Sequence, residues 1–366
     1  MTVLSFQDAF VVEIEGSGSL GEELTEYYDR LTQADTDRRV DLTCKVGALE
    51  CDPDKVLGKP TDYFGRNGKW LISVDKYKKI RIKRDWSEIH FSTDVPRSWA
   101  YRLIEYRARV ALADRGQTLI HASGAVVNDR TVAFPAWRHT GKTNTLITLL
   151  NEFDGNYLSD DRLWVGEDGV AHGFPLPINM QPYNYNSFPG MEPPTRLYDL
   201  RYRLRNEIRE RTSESGPFFS QALYFVNEFY IAPPSEKARI EEIHPGVEYE
   251  AESPLDALVC LQTVAGDEGT VELTEASRER TVSYLRSISY REWNEMIEEY
   301  VTAFDLLFKD ESAEEELTAL REREMELWSE LTEFVDTYIL TLPREEQWDD
   351  RNLSQRVLKT LSPILS

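Results

Sequence analysis

The chain has 366 residues, of which 65 are Asp or Glu and 42 are Lys or Arg, so its formal net charge is −23. A chain of this length can bury a hydrophobic core without disulfide bonds or bound metal ions. The length also predicts two or three packed units. The negative charge excludes non-specific binding to nucleic acid, because phosphates would meet a field of their own sign.

The basic residues are 12 Lys and 30 Arg. This Lys-poor, acid-rich balance resembles that of proteins from halophilic organisms, which accumulate molar salt inside the cell. At molar salt the Debye length is about 3 Å, so self-repulsion is screened. An ordinary acidic cytosolic protein is the alternative interpretation.

Three cysteines, Cys44, Cys51 and Cys260, are too few and too scattered for a disulfide framework, and no zinc-ligand spacing occurs. The first residues, MTVLSFQDAF, lack a basic start and a long apolar run, and nowhere do 18 apolar residues follow one another. These features predict a soluble, cytoplasmic protein without a membrane partner.

The first part of the chain predicts a small strand-rich unit. Alternating apolar residues between turn residues predict strands in AFVVEIEG, RRVDLTCKV, KWLISVD and KKIRIKR, with one helix near Leu20 to Ala34. The segment Ser98 to Ala113 then has apolar residues at helical spacing and ends before Gly116, which predicts a connecting helix.

The segment from Thr118 to Val165 predicts, in order, a strand, a strand, a loop, a helix and a strand. The corresponding sequences are TLIHASGAVV, TVAFPA, WRHTGKT, NTLITLLNEF and NYLSDDRLWV. This order is the setting that a phosphate-binding loop needs.

Beyond this segment, TRLYDLRYRLRNEIRERT predicts a charged amphipathic helix, and QALYFVNEFYIA and DALVCLQTV predict strands. From Arg278 onward the pattern is almost wholly helical. One apolar face comprises Leu317, Leu320, Leu327, Leu331 and Phe334. This part is either a packing appendage or an arm that binds a partner.

The sequence therefore predicts three domains: a strand-rich α+β unit at 1–97, a nucleotide-binding core at 98–305 and a helical C-terminal extension at 306–366.

Residues Ala136 to Thr143 read A-W-R-H-T-G-K-T, which fits the Walker A spacing G-x-x-x-x-G-K-[ST] except at its first glycine. Such a loop turns backbone N–H groups around a phosphate at the positive end of a helix dipole. Lys142 would bind the β and γ phosphates, and the Thr143 hydroxyl would bind Mg²⁺. The alternative is a chance Gly-Lys-Thr triplet. The predicted nucleotide-binding residues are Ala136, Arg138, His139, Thr140, Gly141, Lys142, Thr143 and Asn144.

Two adjacent carboxylates, Asp160 and Asp161, follow the apolar stretch that ends at Leu158 and Ser159. Adjacent carboxylates are unfavourable unless a positive group lies between them, and Mg²⁺ bound to nucleotide phosphates is such a group. One carboxylate could instead accept a proton from an attacking hydroxyl. His121 could orient that carboxylate. The alternatives are a solvated Asp-Asp turn and a structural histidine.

Taken together, these residues resemble the HPr kinase/phosphorylase family and, more distantly, ATP-dependent phosphoenolpyruvate carboxykinase. The matching elements, in chain order, are His121-Ala122-Ser123-Gly124, Phe134-Pro135 with the Walker A loop, Leu158-Ser159-Asp160-Asp161, and Gly173-Phe174-Pro175-Leu176-Pro177. The resemblance covers about sixty residues firmly and about two hundred loosely.

The resemblance implies an α/β fold, with a P-loop kinase core containing a mixed sheet. It implies ATP and Mg²⁺ as cofactors, Lys142 and Thr143 as phosphate and metal ligands, and Asp161 as a further metal ligand. It also implies that Asp160 is the base, assisted by His121.

The loop departs from the family loop, which commonly carries three glycines and a serine, because this chain has Ala136, Arg138 and His139 at glycine and serine positions. The leading hypothesis is a Mg²⁺- and ATP-dependent phosphotransferase with an unidentified protein or small-molecule hydroxyl acceptor. The alternatives are a non-catalytic nucleotide sensor and, ranked last, an ATP or phosphoester hydrolase. A homo-oligomer is left open.

Overall fold

The computed structural model describes residues 1–16, 18–32, 38–138, 140–180, 184, 195–211, 218–227, 236–264, 270–308, 312–343 and 351–365. The strands are β1 Thr2–Phe6, β2 Phe10–Gly16, β3 Leu42–Val46, β4 Lys55–Lys59, β5 Asp62–Asn67, β6 Trp70–Asp75, β7 Lys78–Lys83, β8 Glu88–Phe91, β9 Gln117–Ile120, β10 Ala122–Val127, β11 Arg130–Pro135, β12 Gly155–Ser159, β13 Leu163–Gly166, β14 Val170–His172, β15 Ile178–Met180, β16 Glu236–Ala238, β17 Glu252–Pro254, β18 Ala257–Val264, β19 Glu272–Glu275 and β20 Asp336–Pro343. The helices are α1 Ser19–Tyr27, α2 Arg97–Ala113, α3 Lys142–Glu152, α4 Arg196–Arg211, α5 Phe218–Val226, α6 Ile240–Ile243, α7 Arg278–Ser289, α8 Glu295–Leu307, α9 Ala313–Phe334 and α10 Arg351–Leu361.

The chain forms two compact units, each built from several segments. The first unit comprises Met1–His121, Arg162–Leu176 and Ala276–Thr337, and the second comprises Ala122–Asp161, Pro177–Glu275 and Tyr338–Ser366. These borders differ from the three ranges predicted from the sequence, because helices α7 to α9 belong with the N-terminal strands. The three domains stay a prediction.

The first unit contains an eight-stranded mixed sheet in the order β1-β2-β3-β8-β7-β6-β5-β4. Alternation creates its buried face: in β7, Ile80 and Ile82 are buried while the Lys and Arg side chains between them are partly exposed. Helix α2 buries Leu103, Ile104 and Tyr106 in the same core. Strands β14, β13 and β9 form a smaller antiparallel sheet.

The second unit contains a six-stranded sheet in the order β12-β10-β11-β18-β20-β19. Strand β10 pairs antiparallel with both β11 and β12, and β11 pairs parallel with β18. Strands β11 and β18 are buried over most of their length, as expected of central strands. Six residues separate the end of β11 from the start of α3, so the predicted order of strand, loop and helix is present.

Two predicted strands are each divided in two. The segment TLIHASGAVV becomes β9 and β10, which belong to different sheets and are separated by His121. In the same way, NYLSDDRLWV becomes β12 and β13, separated by Asp160, Asp161 and Arg162. In TLIHASGAVV the nearly continuous apolar pattern hides the break, because each half is buried in its own sheet.

The predicted strand in QALYFVNEFYIA is wrong where the structure describes it, since Phe218–Val226 is the helix α5. Residues 228–232 of that segment lie outside the described residues. A short apolar run does not distinguish a buried strand from a helix by its periodicity.

The C-terminal region is helical, as predicted, but it also contains β20, whose segment was assigned to the helix. Leu340 and Leu342 of β20 are buried in the core of the second unit. The predicted apolar face of α9 is buried at Leu317, Leu320, Leu327 and Leu331, whereas Phe334 is 72% exposed in the last helical turn. The mixed α/β class is confirmed.

None of the described helices combines the length and the apolar character needed to cross a membrane.

Candidate functional site

The loop between β11 and α3 is closed by local contacts. Ala136 continues the sheet through a parallel bridge to Leu261, and the Thr140 hydroxyl donates a hydrogen bond to the Trp137 carbonyl oxygen at 2.8 Å. Gly141 then adopts a left-handed conformation, with φ of 95°, at the residue before α3. A side chain there would be strained, which explains the glycine at this position.

The missing glycines do not distort the described part of the loop. Neither Ala136 nor Arg138 has a positive φ, so neither position requires glycine for its backbone conformation. Ala136 is fully buried in the core of the second unit, and Trp137 is 42% exposed. His139, a predicted nucleotide-binding residue, lies outside the described residues.

The start of α3 has the electrostatics of an anion site. The N-cap residue, Gly141, has no side chain to cap the first turn, and that turn contains no acidic residue, although acids are usually favoured there. Lys142 occupies the first helical position instead, where a cation is unfavourable unless an anion compensates it. Its Nζ lies 3.6 Å from Asp161 Oδ1, and its side chain is buried.

Asp160 contacts the same turn of the helix. The Thr143 hydroxyl donates a hydrogen bond to Asp160 Oδ2 at 3.0 Å. The other carboxylate oxygen, Oδ1, is buried and has no hydrogen-bond partner among the described residues. Burial, followed by the negative charge of Asp161, raises the pKa of Asp160 to about 7, against the opposing effects of Lys142 and the Thr143 bond.

Asn144 has a structural partner within the second unit. Its Oδ1 accepts a hydrogen bond from Asn184 Nδ2 at 2.6 Å, and both residues are buried. Its own Nδ2 is buried and makes no hydrogen bond with described residues. Ser123, on β10, donates a hydrogen bond to the Lys142 carbonyl oxygen at 3.4 Å and so supports the first residue of α3.

His121 belongs to a buried charged cluster in the first unit. Arg162 donates hydrogen bonds to His121 Nδ1 at 2.9 Å, to Glu105 at 3.1 Å and to Glu292 at 3.1 Å. Since a guanidinium only donates, Nδ1 accepts, and the neutral ring carries its proton on Nε2. Its expected assistance to Asp160 stays a prediction.

Tyr157 was not singled out in the sequence. It lies on β12, is buried, and its hydroxyl has no hydrogen-bond partner among the described residues. Burial chiefly, and then the negative charge of Asp160, raises the pKa of its hydroxyl. In the sequence it is one more aromatic residue in an apolar strand, so no signal distinguished it.

Magnesium fits the donors at this site. Thr143 offers a hydroxyl, and Asp160 and Asp161 offer carboxylates, which are the oxygen ligands that Mg²⁺ prefers. The contacts of Asp161 with Lys142 and of Asp160 with Thr143 bring both carboxylates to the first turn of α3, and this observation supports the assignment. The described residues contain no group of three or more His, Cys, Asp or Glu side chains that could hold a metal. Phosphate oxygens and water would have to complete the coordination.

The amino-acid sequence matches no protein-family model, and no curated protein matches it. The resemblance to the HPr kinase family therefore stays a prediction that rests on the motif residues and their spacing.

Proposed function

We propose that this protein is a Mg²⁺- and ATP-dependent phosphotransferase that acts on a hydroxyl group. The observation that carries the proposal is the contact between the start of α3 and Asp160: the Thr143 hydroxyl bonds one oxygen of a buried carboxylate whose other oxygen is unpartnered. A phosphate-binding turn and a base candidate thus meet in one place.

The start of α3 would bind the polyphosphate. The first-turn N–H groups point toward the helix N-terminus, and the Lys142 ammonium adds a full positive charge there. The ammonium lies near the Asp161 carboxylate. Phosphate binding would therefore exchange one anionic partner of Lys142 for another.

Asp160 would accept the proton of the incoming hydroxyl. As the acceptor oxygen forms its bond to the γ phosphorus, the bond from that phosphorus to the departing ADP oxygen breaks, and the hydroxyl proton passes to Asp160 Oδ1. A carboxylate with a pKa of about 7 is well matched to this role near neutral pH. Bound Mg²⁺ would neutralise phosphate charge.

The test is transfer of label from ATP. Purified protein is incubated in high-salt buffer with Mg²⁺, γ-labelled ATP and cell extract, beside an Asp160→Asn variant that keeps the side-chain shape. Labelled acceptor that disappears with the variant supports the phosphotransferase. ATP binding without transfer would instead identify a nucleotide sensor, and release of labelled phosphate alone would identify a hydrolase.

A further inference from the structure

A cavity of about 240 Å³ lies within the first unit, between strands β5 and β6 and helices α2 and α8. Its buried lining residues include Ser73, Val74 and Tyr300, whereas Asp62 and Glu299 are exposed. The cavity is therefore open on its acidic side and closed on the other. It has room for a ligand larger than a single water molecule.

Aromatic rings form much of the cavity wall. Tyr63, Phe64, Trp99 and Tyr300 all line it, and the Phe64 and Tyr300 rings pack edge to face with their centroids 5.3 Å apart. Met296 adds a polarizable thioether. Ring faces attract cations, and the apolar surface favours a cation with carbon substituents over a hydrated metal ion.

Three carboxylates line the cavity, and two of them have lysine partners: Lys59 lies 3.5 Å from Asp62, and Lys78 lies 2.7 Å from Asp75. Asp62, Asp75 and Glu299 line it, and they are not among any group of described side chains that could converge on a metal ion. Burial, then the charges of Asp62 and Glu295, raise the pKa of Glu299. Burial chiefly raises the pKa of the Tyr300 hydroxyl, and the Glu299 and Asp75 carboxylates add to it.

One wall of the cavity already holds an ammonium group of the protein itself. The Nζ of Lys78 lies 4.6 Å from the centre of the Trp99 ring and 2.7 Å from Asp75 Oδ2. An aromatic face and a carboxylate thus bind an ammonium together at this wall. Glu299, with Tyr300 and Phe64 beside it, presents the same two kinds of group, and no ammonium group in the described part of the chain forms an ion pair with it.

We propose that this cavity binds a compact organic cation, an ammonium group with alkyl substituents, with the Glu299 carboxylate as its counter-charge and the Trp99, Phe64 and Tyr300 rings as its walls. The alkyl groups contact the rings and Met296, while the positive charge faces Glu299. The site does not depend on the phosphotransferase proposal, because all of its residues belong to the first unit.

The full-length protein is titrated with choline and, in parallel, with the uncharged alcohol in which carbon replaces the choline nitrogen, at ionic strength matched with NaCl. Saturation-transfer NMR and calorimetry measure binding. Choline should bind at least about ten-fold more tightly than its neutral analogue, since only the cation gains from ring faces and carboxylates.

Three variants test whether choline binds in this cavity. Glu299→Gln, at an exposed position that leaves the fold intact, should weaken choline binding about three- to ten-fold, and Trp99→Leu should weaken it by a similar factor. Glu330→Gln removes the same charge from an exposed position on α9 outside the cavity and should leave the affinity unchanged. Equal binding of choline and its neutral analogue, or equal effects of the Glu299 and Glu330 changes, would overturn the proposal.

Discussion

Lys142 is placed where an ordinary helix avoids a cation, at the first position of α3 and with its side chain buried. Its Nζ lies 3.6 Å from Asp161 Oδ1, which is longer than a direct hydrogen bond. A bound phosphate would provide Lys142 with a closer, charge-assisted partner, and this is the residue-level basis of the proposed site.

Replacing Lys142 with Ala should therefore weaken ATP binding by about 1.5–3 kcal/mol, the typical contribution of one charge-assisted hydrogen bond. Calorimetric titration with ATP and Mg²⁺ measures the affinity. Lys237→Ala, in the second unit but outside the phosphate loop, serves as the control. An unchanged affinity for the Lys142 variant would refute the phosphate site.

A second prediction at the residue level concerns how Asp160 affects the stability of the fold. Its pKa in the folded protein, about 7, lies above the ordinary value of 3.8, so the ionised carboxylate destabilises the fold. Below pH 3.8 the group is neutral in both states and has no effect. As the pH rises from 3.8 to 7, Asp160 releases its proton in the unfolded chain before it does so in the folded protein, so the free energy of unfolding falls. Above pH 7 the carboxylate is ionised in both states, and the loss stays constant at roughly 4 kcal/mol or less.

Asp160→Asn should therefore be increasingly more stable than the wild-type protein as the pH rises from about 4 to 7, with a constant difference above that. Denaturant unfolding without nucleotide or Mg²⁺ measures this difference. Asp154→Asn, at an exposed position after α3, should show no comparable trend. A difference independent of pH would mean that Asp160 is not held in a desolvated environment.

At the scale of elements, β20 is a strand in a region that the sequence predicts to be helical. The sequence around it, rich in Glu and Leu, predicts one long helix, yet α9 ends at Phe334 and β20 follows from Asp336. Strand β20 lies between β18 and β19, and Leu340 and Leu342 fill the core beneath. The β-branched and aromatic residues Thr337, Tyr338 and Ile339 were the local signal for a strand.

Leu340→Ala should accordingly destabilise the protein by about 2–5 kcal/mol, because it removes fully buried methyl groups and leaves a cavity. Leu306→Ala, on α8, changes a side chain that is 65% exposed and should change stability by no more than about 0.5 kcal/mol. Thermal or denaturant unfolding measures both. Similar losses for the two variants would contradict the buried position of β20.

The start of α3 likewise shows why the loop before it accommodates its departures from the Walker A glycine pattern. A left-handed conformation is required only at Gly141 among the described loop residues, and glycine is present there. At Ala136 the backbone continues the sheet, so a methyl group is accommodated in the core.

For the whole molecule, the net charge of −23 is the dominant long-range property. Like charges repel across a folded protein, and the Debye length falls from about 10 Å at 0.1 M salt to about 3 Å at 1 M. The unfolding midpoint should therefore rise as KCl is raised over that range, and NaCl should act in the same way because screening depends on ionic strength. A midpoint that is flat or falls would argue against adaptation to high salt.

By itself the sequence determined the local features whose physical cause is local. These are the strand-loop-helix order around Gly141, the helical spacing of α2, the alternation in β7 and the charge balance. Each depends on backbone conformation or periodicity within a few residues.

Only the tertiary structure decided how separated segments combine. It joined the N-terminal strands with α7 to α9, divided the segment around His121 between two sheets, and placed β20 in a buried sheet position. It also paired His121 with Arg162, brought Asp160 to the Thr143 hydroxyl, and assembled the aromatic cavity from four elements. Burial and pairing between residues far apart in the chain leave no periodic trace in the sequence, which is why its patterns could not reveal them.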